Sequence, residues 1–325
     1  MAHAPGSGGG GDSDSRLLEE SIMSRSDLAT VFCATDFSEN AEPALRQAVA
    51  LATRHEARLV LAHALEPLPV DPYPMPIGRP DAELEIRKAV EDRLAALAER
   101  VRRDSGLAVE AITEVGPPGP HLVDMARQAE ADVIVIGTRG LTGLKHLVLG
   151  STAEHVVRRA DCPVVTVHPG DDPISGPMER VVVPTDLSED AESAVETLDL
   201  LFGDGDRPAI DLVFADSTPP YLESMSHEEL AAHHQPDARR EELEASLGPL
   251  VENIRGRGFD VEVFVVDGAA VEALVAHAEH RGADLIAMST HGRSALVNAL
   301  LGRTAQRVVQ HATCPVVTVC PSRRR

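Results

Sequence analysis

The chain has 325 residues, enough for two domains of common size, and only 2% of them are aromatic, so its cores must be filled by Val, Leu, Ile and Ala. A formal net charge of −22 argues against nucleic-acid binding, which calls for a basic face. No apolar run approaches the roughly 20 residues that a membrane-spanning helix needs, and Cys33, Cys162, Cys314 and Cys320 lack the spacing of a disulfide or metal framework, which fits a reduced, cytoplasmic setting.

In chain order, residues 1–26 are rich in Gly and Ser and read as a tail. Leu28–Thr35 is a short apolar run with the character of a strand. Asp36 and Ser38 follow, each a candidate cap for a helix over Ala41–Thr53, where the apolar residues recur at helical spacing. Ala57–Leu65 is a second strand, and six prolines between Glu66 and Pro80 make an irregular loop. A long amphipathic helix over Asp81–Arg103 ends at Gly106, a residue suited to a helix C-terminus. Leu107–Val115 is the third strand, a helix runs from about His121 to Ala129, and Asp132–Ile136 is the fourth strand. Ser151 and Glu154 have the spacing of a capping box, so Ser151 is expected to cap a helix that ends before Cys162-Pro163. Val164–Val167 is the fifth strand, and the proline preceding it suits a sheet edge. Regular βα alternation implies an open parallel sheet with helices on both faces, whose ligand crevice lies beyond the strand C-termini where strand order reverses.

The pattern then repeats. Residues 150–167 (GSTAEHVVRRADCPVVTV) and 302–319 (GRTAQRVVQHATCPVVTV) share 12 of 18 positions, and Thr35-Asp36-Phe37-Ser38-Glu39 matches Thr185-Asp186-Leu187-Ser188-Glu189. A period near 150 is too long for a solenoid unit, so each copy is a whole domain. The expected division is a tail at 1–26, a first domain at 27–169, a linker at 170–178 and a second domain at 179–322. The second copy should hold strands at Val181–Thr185, Ile210–Ala215, Val261–Val266, Asp284–Met288 and Val316–Val319, with helical segments over Glu223–Arg257, interrupted near Pro236, and Ala270–His280.

The chemistry concentrates after the fourth strand, at Gly137-Thr138-Arg139-Gly140, nine residues, then Gly150-Ser151-Thr152. Glycine lets backbone approach a ligand closely, and a helix start offers unpaired N–H groups and a positive dipole end. Together they suggest a phosphate cradle. In the second copy Gly292, Gly302 and Thr304 persist, but Ser289 stands where Gly137 stood and Arg303 where Ser151 stood, adding bulk and a positive charge. His63, His121 and His291 form no recognisable metal-ligand set.

At these residues the chain resembles the universal stress protein family, specifically its tandem-domain members. The family's G-x-x-G, nine residues, G-[ST] motif is matched by Gly137, Gly140, Gly150 and Ser151, its strand-closing aspartate by Asp36, and its second-strand ending by His63-Ala64. The resemblance implies two tandem five-stranded α/β domains of the Rossmann-like, adenine nucleotide α-hydrolase type. It also implies ATP, alone or with Mg2+, as the ligand. Thr35, Asp36 and the backbone of Ala64 would lie near ribose and adenine; Gly137, Arg139, Gly140, Gly150, Ser151 and Thr152 near the phosphates. Asp186, Gly292, Gly302 and Thr304 would form a second, weaker site. Domains of this family pair through their last strands, between halves or as a homodimer.

The expected function is a non-catalytic, ATP-binding stress-response module that regulates conformation or partners. A slow ATPase is the first alternative, although the chain has no G-x-x-x-x-G-K-[ST] loop. A nucleotide-free scaffold acting through its surfaces is the second.

Overall fold

A computed structural model describes residues 28–67, 82–140, 149–171, 178–188, 190–203, 205, 207–216, 236–290 and 301–320. The first half contains β1 (Thr30–Ala34), α1 (Glu42–Arg54), β2 (Arg58–Leu65), α2 (Ala82–Ser105), β3 (Val109–Val115), α3 (Pro118–Gln128), β4 (Val133–Gly137), α4 (Ser151–Arg159) and β5 (Val164–Val167). The second repeats it as β6 (Arg180–Thr185), α5 (Asp190–Phe202), β7 (Ala209–Asp216), α6 (Pro236–Gly256), β8 (Val261–Asp267), α7 (Ala270–Arg281), β9 (Leu285–Ser289), α8 (Arg303–His311) and β10 (Val316–Val319).

The two five-stranded parallel sheets join into one sheet of order β3-β2-β1-β4-β5-β10-β9-β6-β7-β8. The join is the antiparallel pair β5–β10, with Val165 opposite Val317. Within the pair, the buried Thr166 hydroxyl donates to the Val316 carbonyl at 3.0 Å and the Thr318 hydroxyl to the Val164 carbonyl at 3.4 Å. β5 is therefore no edge of the whole sheet, contrary to the expectation from Pro163: the missing proline N–H precedes the strand, and Val164–Val167 has neighbours on both sides. The outer strands are β3 and β8, so strand addition by a second copy would have to use one of those.

Central strands sandwiched between helices have no solvated face, which is why β1, β4, β5, β9 and β10 read as unbroken apolar runs rather than alternating ones. One face packs Leu28, Leu45, Leu94, Leu198 and Leu247 beneath α1, α2, α5 and α6. The other packs Met125, Val156, Leu274 and Val308 beneath α3, α4, α7 and α8. The helix expected from His121 begins three residues earlier, at Pro118, because proline's fixed φ suits the first helical turn. Gly106 takes φ 74° and closes α2 with its N–H on the Arg102 carbonyl at 2.8 Å.

One device holds the N-terminal end of both sheets. The Asp132 carboxylate accepts the Ala29 and Thr30 amides, both at 2.9 Å. Asp284 does the same for Glu179 and Arg180 at 2.8 and 3.0 Å. Each aspartate thus starts its half's first strand from the neighbouring strand. The second half adds Asp211, fully buried on β7 where the first half has Val60. Burial opposes its ionisation, but hydrogen bonds from Arg281, His277 and Arg180 outweigh that and hold its carboxyl below the usual range.

Two outcomes follow. Asp132→Ala and Asp284→Ala should each cost about 1–3 kcal/mol, since each leaves charge-assisted amide bonds unmade; urea unfolding of each variant reads this. Burial, aided by Glu42 at Cys33 and by Asp171 and Asp284 at Cys314, pushes both thiols up to about 12. Both stay protonated in the folded chain while an unfolded thiol ionises near pH 9, so their contribution to stability is full below about pH 9 and falls from there towards pH 12. Iodoacetamide at pH 8 should label Cys33 and Cys314 only after denaturant is added, as peptide mass mapping will show.

Candidate functional site

Strand order reverses between β1 and β4 in the first half and between β6 and β9 in the second. At each of these points the loops leaving two adjacent strands part to opposite faces and leave a crevice beyond the strand ends.

In the first half, β1 ends in a tight turn. The buried Thr35 accepts the Phe37 amide on its hydroxyl at 3.1 Å, and Asp36 Oδ1 accepts the Ser38 amide at 2.9 Å and the Ser38 hydroxyl at 2.6 Å. Phe37 is held at φ 61°, a conformation its duplicate Leu187 shares at 65°. His63, on the adjacent β2, places Nδ1 2.8 Å from the Thr35 carbonyl, and Ala64 is buried one residue further on.

The loop leaving β4 is locked by backbone. The Thr138 amide donates to the Val167 carbonyl at 2.9 Å and its carbonyl accepts the Gly150 amide at 3.0 Å, so Gly150 returns to the end of β4 and α4 starts there. The Gly150 carbonyl accepts the Glu154 amide at 2.9 Å, and Gly150 has extended angles, φ −60° and ψ 144°. Gly150, not Ser151, is therefore the N-cap, which corrects the capping-box expectation: the backbone clamp fixes where the helix begins, leaving the exposed Ser151 already in its first turn. Among the described residues no side chain caps this helix, and its first-turn amides, Ser151 and Thr152 among them, have no partner within the helix.

The two loops touch. The Asn40 side-chain amide donates to the Gly140 carbonyl at 3.2 Å. A Cβ on Gly140 would stand 2.7 Å from Asp36 Oδ2, so the carboxylate sits directly over this glycine. A Cβ on Gly137 would come within 3.3 Å of the Asn40 carbonyl. Gly137 thus makes room for the neighbouring loop's backbone, a use of glycine that the motif alone does not convey. The Thr138 hydroxyl is buried and has no hydrogen-bond partner among the described residues, and none of them pairs with the half-buried Arg139 guanidinium. Thr35, Asp36, Gly137, Arg139, Gly140, Gly150, Ser151 and Thr152 lie on the turns that end β1 and β4, and Ala64 near the end of β2.

The second half repeats the backbone clamp: Thr290 donates to Val319 and accepts from Gly302, both at 2.8 Å. Gly302 is the N-cap of α8, and no side chain caps it. Asp186 accepts the Ser188 amide at 3.1 Å. A cavity of about 450 Å3 opens here, lined among others by Asp186, Phe214, Ser289, Gly302, Arg303 and Thr304. Gly292 falls outside the described residues. Phe214 takes the place of His63, so an aromatic ring replaces the imidazole beside the crevice.

Sequence reasoning missed Asn40 and Thr138. The repeat carries a signal for Asn40, since T-D-x-S-E is followed by Asn40 in one copy and Asp190 in the other. For Thr138 the signal is its recurrence as Thr290 in the second copy, although the sequence does not say that its hydroxyl is buried.

The sequence model of the universal stress protein family matches the chain twice, over residues 29–168 and 178–319. A universal stress protein of Mycolicibacterium smegmatis is 27% identical over 304 residues, covering 90% of this chain and 97% of its own length. One from Thermus aquaticus is 36% identical over 138 residues, 42% of this chain and 97% of that protein. The crystal structure of a universal stress protein from Archaeoglobus fulgidus aligns with a TM-score of 0.66 over 90% of this chain and 98% of its own. The identity there is 20%, so that likeness speaks for the fold.

The crowding at Gly140 sets a contrast between two glycines. Gly140→Ala should displace the Asp36 carboxylate and cost about 1–3 kcal/mol, the usual range for overpacking. Gly150→Ala meets only the Thr138 carbonyl at 3.4 Å with an ordinary φ, and should cost about 1 kcal/mol or less. Thermal unfolding of both variants without added ligand compares them.

Proposed function

This chain belongs to the universal stress protein family as a tandem, two-copy member, and on that premise we infer that it binds ATP without consuming it, chiefly in its first half, and uses occupancy to bias its conformation or its partners. The observation that carries the reading is the meeting of Asp36 and Gly140 at the β1–β4 reversal, beside a helix start that no side chain caps. An anionic group there gains amide donors and the positive end of α4. Arg139 adds a cation with no partner among the described residues, and the Thr138 hydroxyl is a polar atom still in need of one.

In this reading the amides around Gly140, Gly150, Ser151 and Thr152 hold the phosphates, with Arg139 as counter-charge. Gly137 keeps the two loops close enough to form the cradle. Asp36 and Thr35 face the ribose, and the backbone at Ala64 faces the adenine. Mg2+, where it accompanies the nucleotide, offsets phosphate charge in a chain already at −22. The working units are residues 27–169 and 179–322, joined by 170–178 and preceded by the tail at 1–26. The second crevice, with Asp186, Gly292, Gly302 and Thr304, is the weaker site: Ser289 removes the close approach that Gly137 permits, while Arg303 adds a charge that favours an anion. The protein acts in the cytoplasm.

Ligand that binds only the folded chain stabilises it by mass action, about 2.7 kcal/mol at a hundred times the dissociation constant. ATP at that excess should raise the thermal midpoint of the first half by about 5–11 °C. Gly140→Val should abolish the shift, and Arg303→Ser should leave most of it. Mass spectrometry of nucleotide released on denaturation identifies the ligand, and phosphate release equal to that of an Asp36→Ala control separates holding from hydrolysis. Absence of both a shift and retained nucleotide would sink the reading.

A further inference from the structure

The duplication supplies an internal control for every surface, and one seam differs sharply between the halves. In the second half, α5 and α6 are drawn together. Arg257, just beyond α6, donates to Asp199 and Glu196 on α5 at 2.5 and 3.3 Å. Phe202 of α5 packs edge-on against Phe259, ring centroids 6.4 Å apart. In the first half the positions equivalent to Glu196, Asp199 and Phe202 are Arg46, Val49 and Ala52, by the register that pairs Thr35 with Thr185. The pairs made by Arg257 have no counterpart at these positions, one acid has become a base, and the large ring has become a methyl; an Arg100–Glu42 pair at 3.2 Å crosses the seam near its other end.

The corresponding seam between α1 and α2 is open, a groove of about 690 Å3 adjoined by one of about 310 Å3 at the end nearer Phe37. From α1 it is lined by Glu42, Leu45, Arg46, Val49 and Thr53. From α2 come Arg93, Leu97, Arg100, Val101 and Asp104. Both sets recur at three- and four-residue spacing along about 12 residues, roughly 18 Å of each helix. The floor is apolar and the rim carries four arginines, Arg46, Arg54, Arg93 and Arg100, against two acids, Glu42 (paired with Arg100) and Asp104, an excess of positive charge on a chain whose net charge is −22. Of these, Arg46 is exposed and has no ion partner among the described residues. Two parallel stripes flanking an apolar floor are the shape into which a third helix lays its own apolar face. The cationic rim selects for acid on that helix's flanks.

We propose that the α1–α2 groove of the first half is a docking site for an acidic amphipathic helix of a partner protein. The groove adjoins the proposed nucleotide site, since its smaller part is lined by Thr35 and Ser38 of the turn that ends β1, but the larger part, with Arg46 and Val49, is lined by α1 and α2 alone. Arg93 links the two: its guanidinium lies over the Phe37 ring, 4.5 Å from the centroid, and donates to the Phe37 carbonyl at 3.2 Å, on the turn that carries Asp36.

The test is selection of a random 15-residue peptide display library on the full chain, with enriched peptides remade and measured by fluorescence anisotropy at low and moderate salt. The expected result is enrichment of acidic peptides with apolar residues at three- and four-residue spacing. Their affinity should fall at least 10-fold with Arg46→Glu and with Val49→Asp, the latter installing the second half's residue, while the thermal midpoint of each variant stays near that of the parent. A peptide with a single Glu changed to Lys, at the position whose truncation costs the parent chain but not Arg46→Glu, should recover affinity for Arg46→Glu. No enrichment, enrichment of basic or unpatterned peptides, or affinity indifferent to both substitutions overturns the proposal. The selection is repeated on a full chain carrying Leu17→Asp, Leu18→Asp and Ile22→Asp. Enrichment found only with that chain means that its own N-terminal segment occupies the groove, and likewise overturns it.

Discussion

Everything at the candidate site depends on a pair of backbone hydrogen bonds. Thr138 donates to the last residue of β5 and accepts from Gly150, and this returns the chain to the end of β4 after the intervening loop. The start of α4 is thereby pinned to the sheet, whatever the loop between does. Thr290, Val319 and Gly302 repeat the clamp. The cost of this arrangement is a helix N-terminus whose amides have no internal acceptor and no capping side chain. Unpaired donors at the mouth of a crevice are costly when they remain without an acceptor and useful when an anion supplies one.

The second organising feature is the β5–β10 seam. It turns two parallel sheets into one, and both of the strands it uses are central. Burying both threonine hydroxyls against carbonyls across the seam satisfies polar groups that would otherwise be stranded in the core. The pairing leaves the two crevices on separate halves of the one sheet, each at its own reversal of strand order. Divergence between the halves is then visible as substitution on a common frame: Ser289 for Gly137, Phe214 for His63, Asp211 for Val60, and an arginine-rimmed groove where in the second half Arg257 ties the end of α6 to α5.

The same frame explains which glycines carry the site. Gly140 is crowded by the Asp36 carboxylate, Gly137 by a neighbouring backbone carbonyl, and Gly150 by neither, although all three belong to one motif. Spacing in the sequence treats them alike because it records where glycine is needed and not what presses against it. For Gly137 the pressing atom comes from Asn40, almost a hundred residues away in the chain.

By itself the sequence determined the parts that depend on local patterning: helices and strands from apolar periodicity, the duplication from the repeated runs, and the residues bearing the glycine motif. These are legible because a strand buried on both faces must be apolar throughout and a helix on a sheet must be apolar on one side. Only the tertiary structure decided that β1 and β4 are neighbours, which brings Asp36 over Gly140, and that Gly150 rather than Ser151 caps α4, since the deciding bond comes from Thr138. It also decided that Pro163 does not leave β5 at an edge and that α1 and α2 enclose a groove. Each of these rests on contacts between residues far apart in the chain, and periodicity, being a local quantity, carries no record of them.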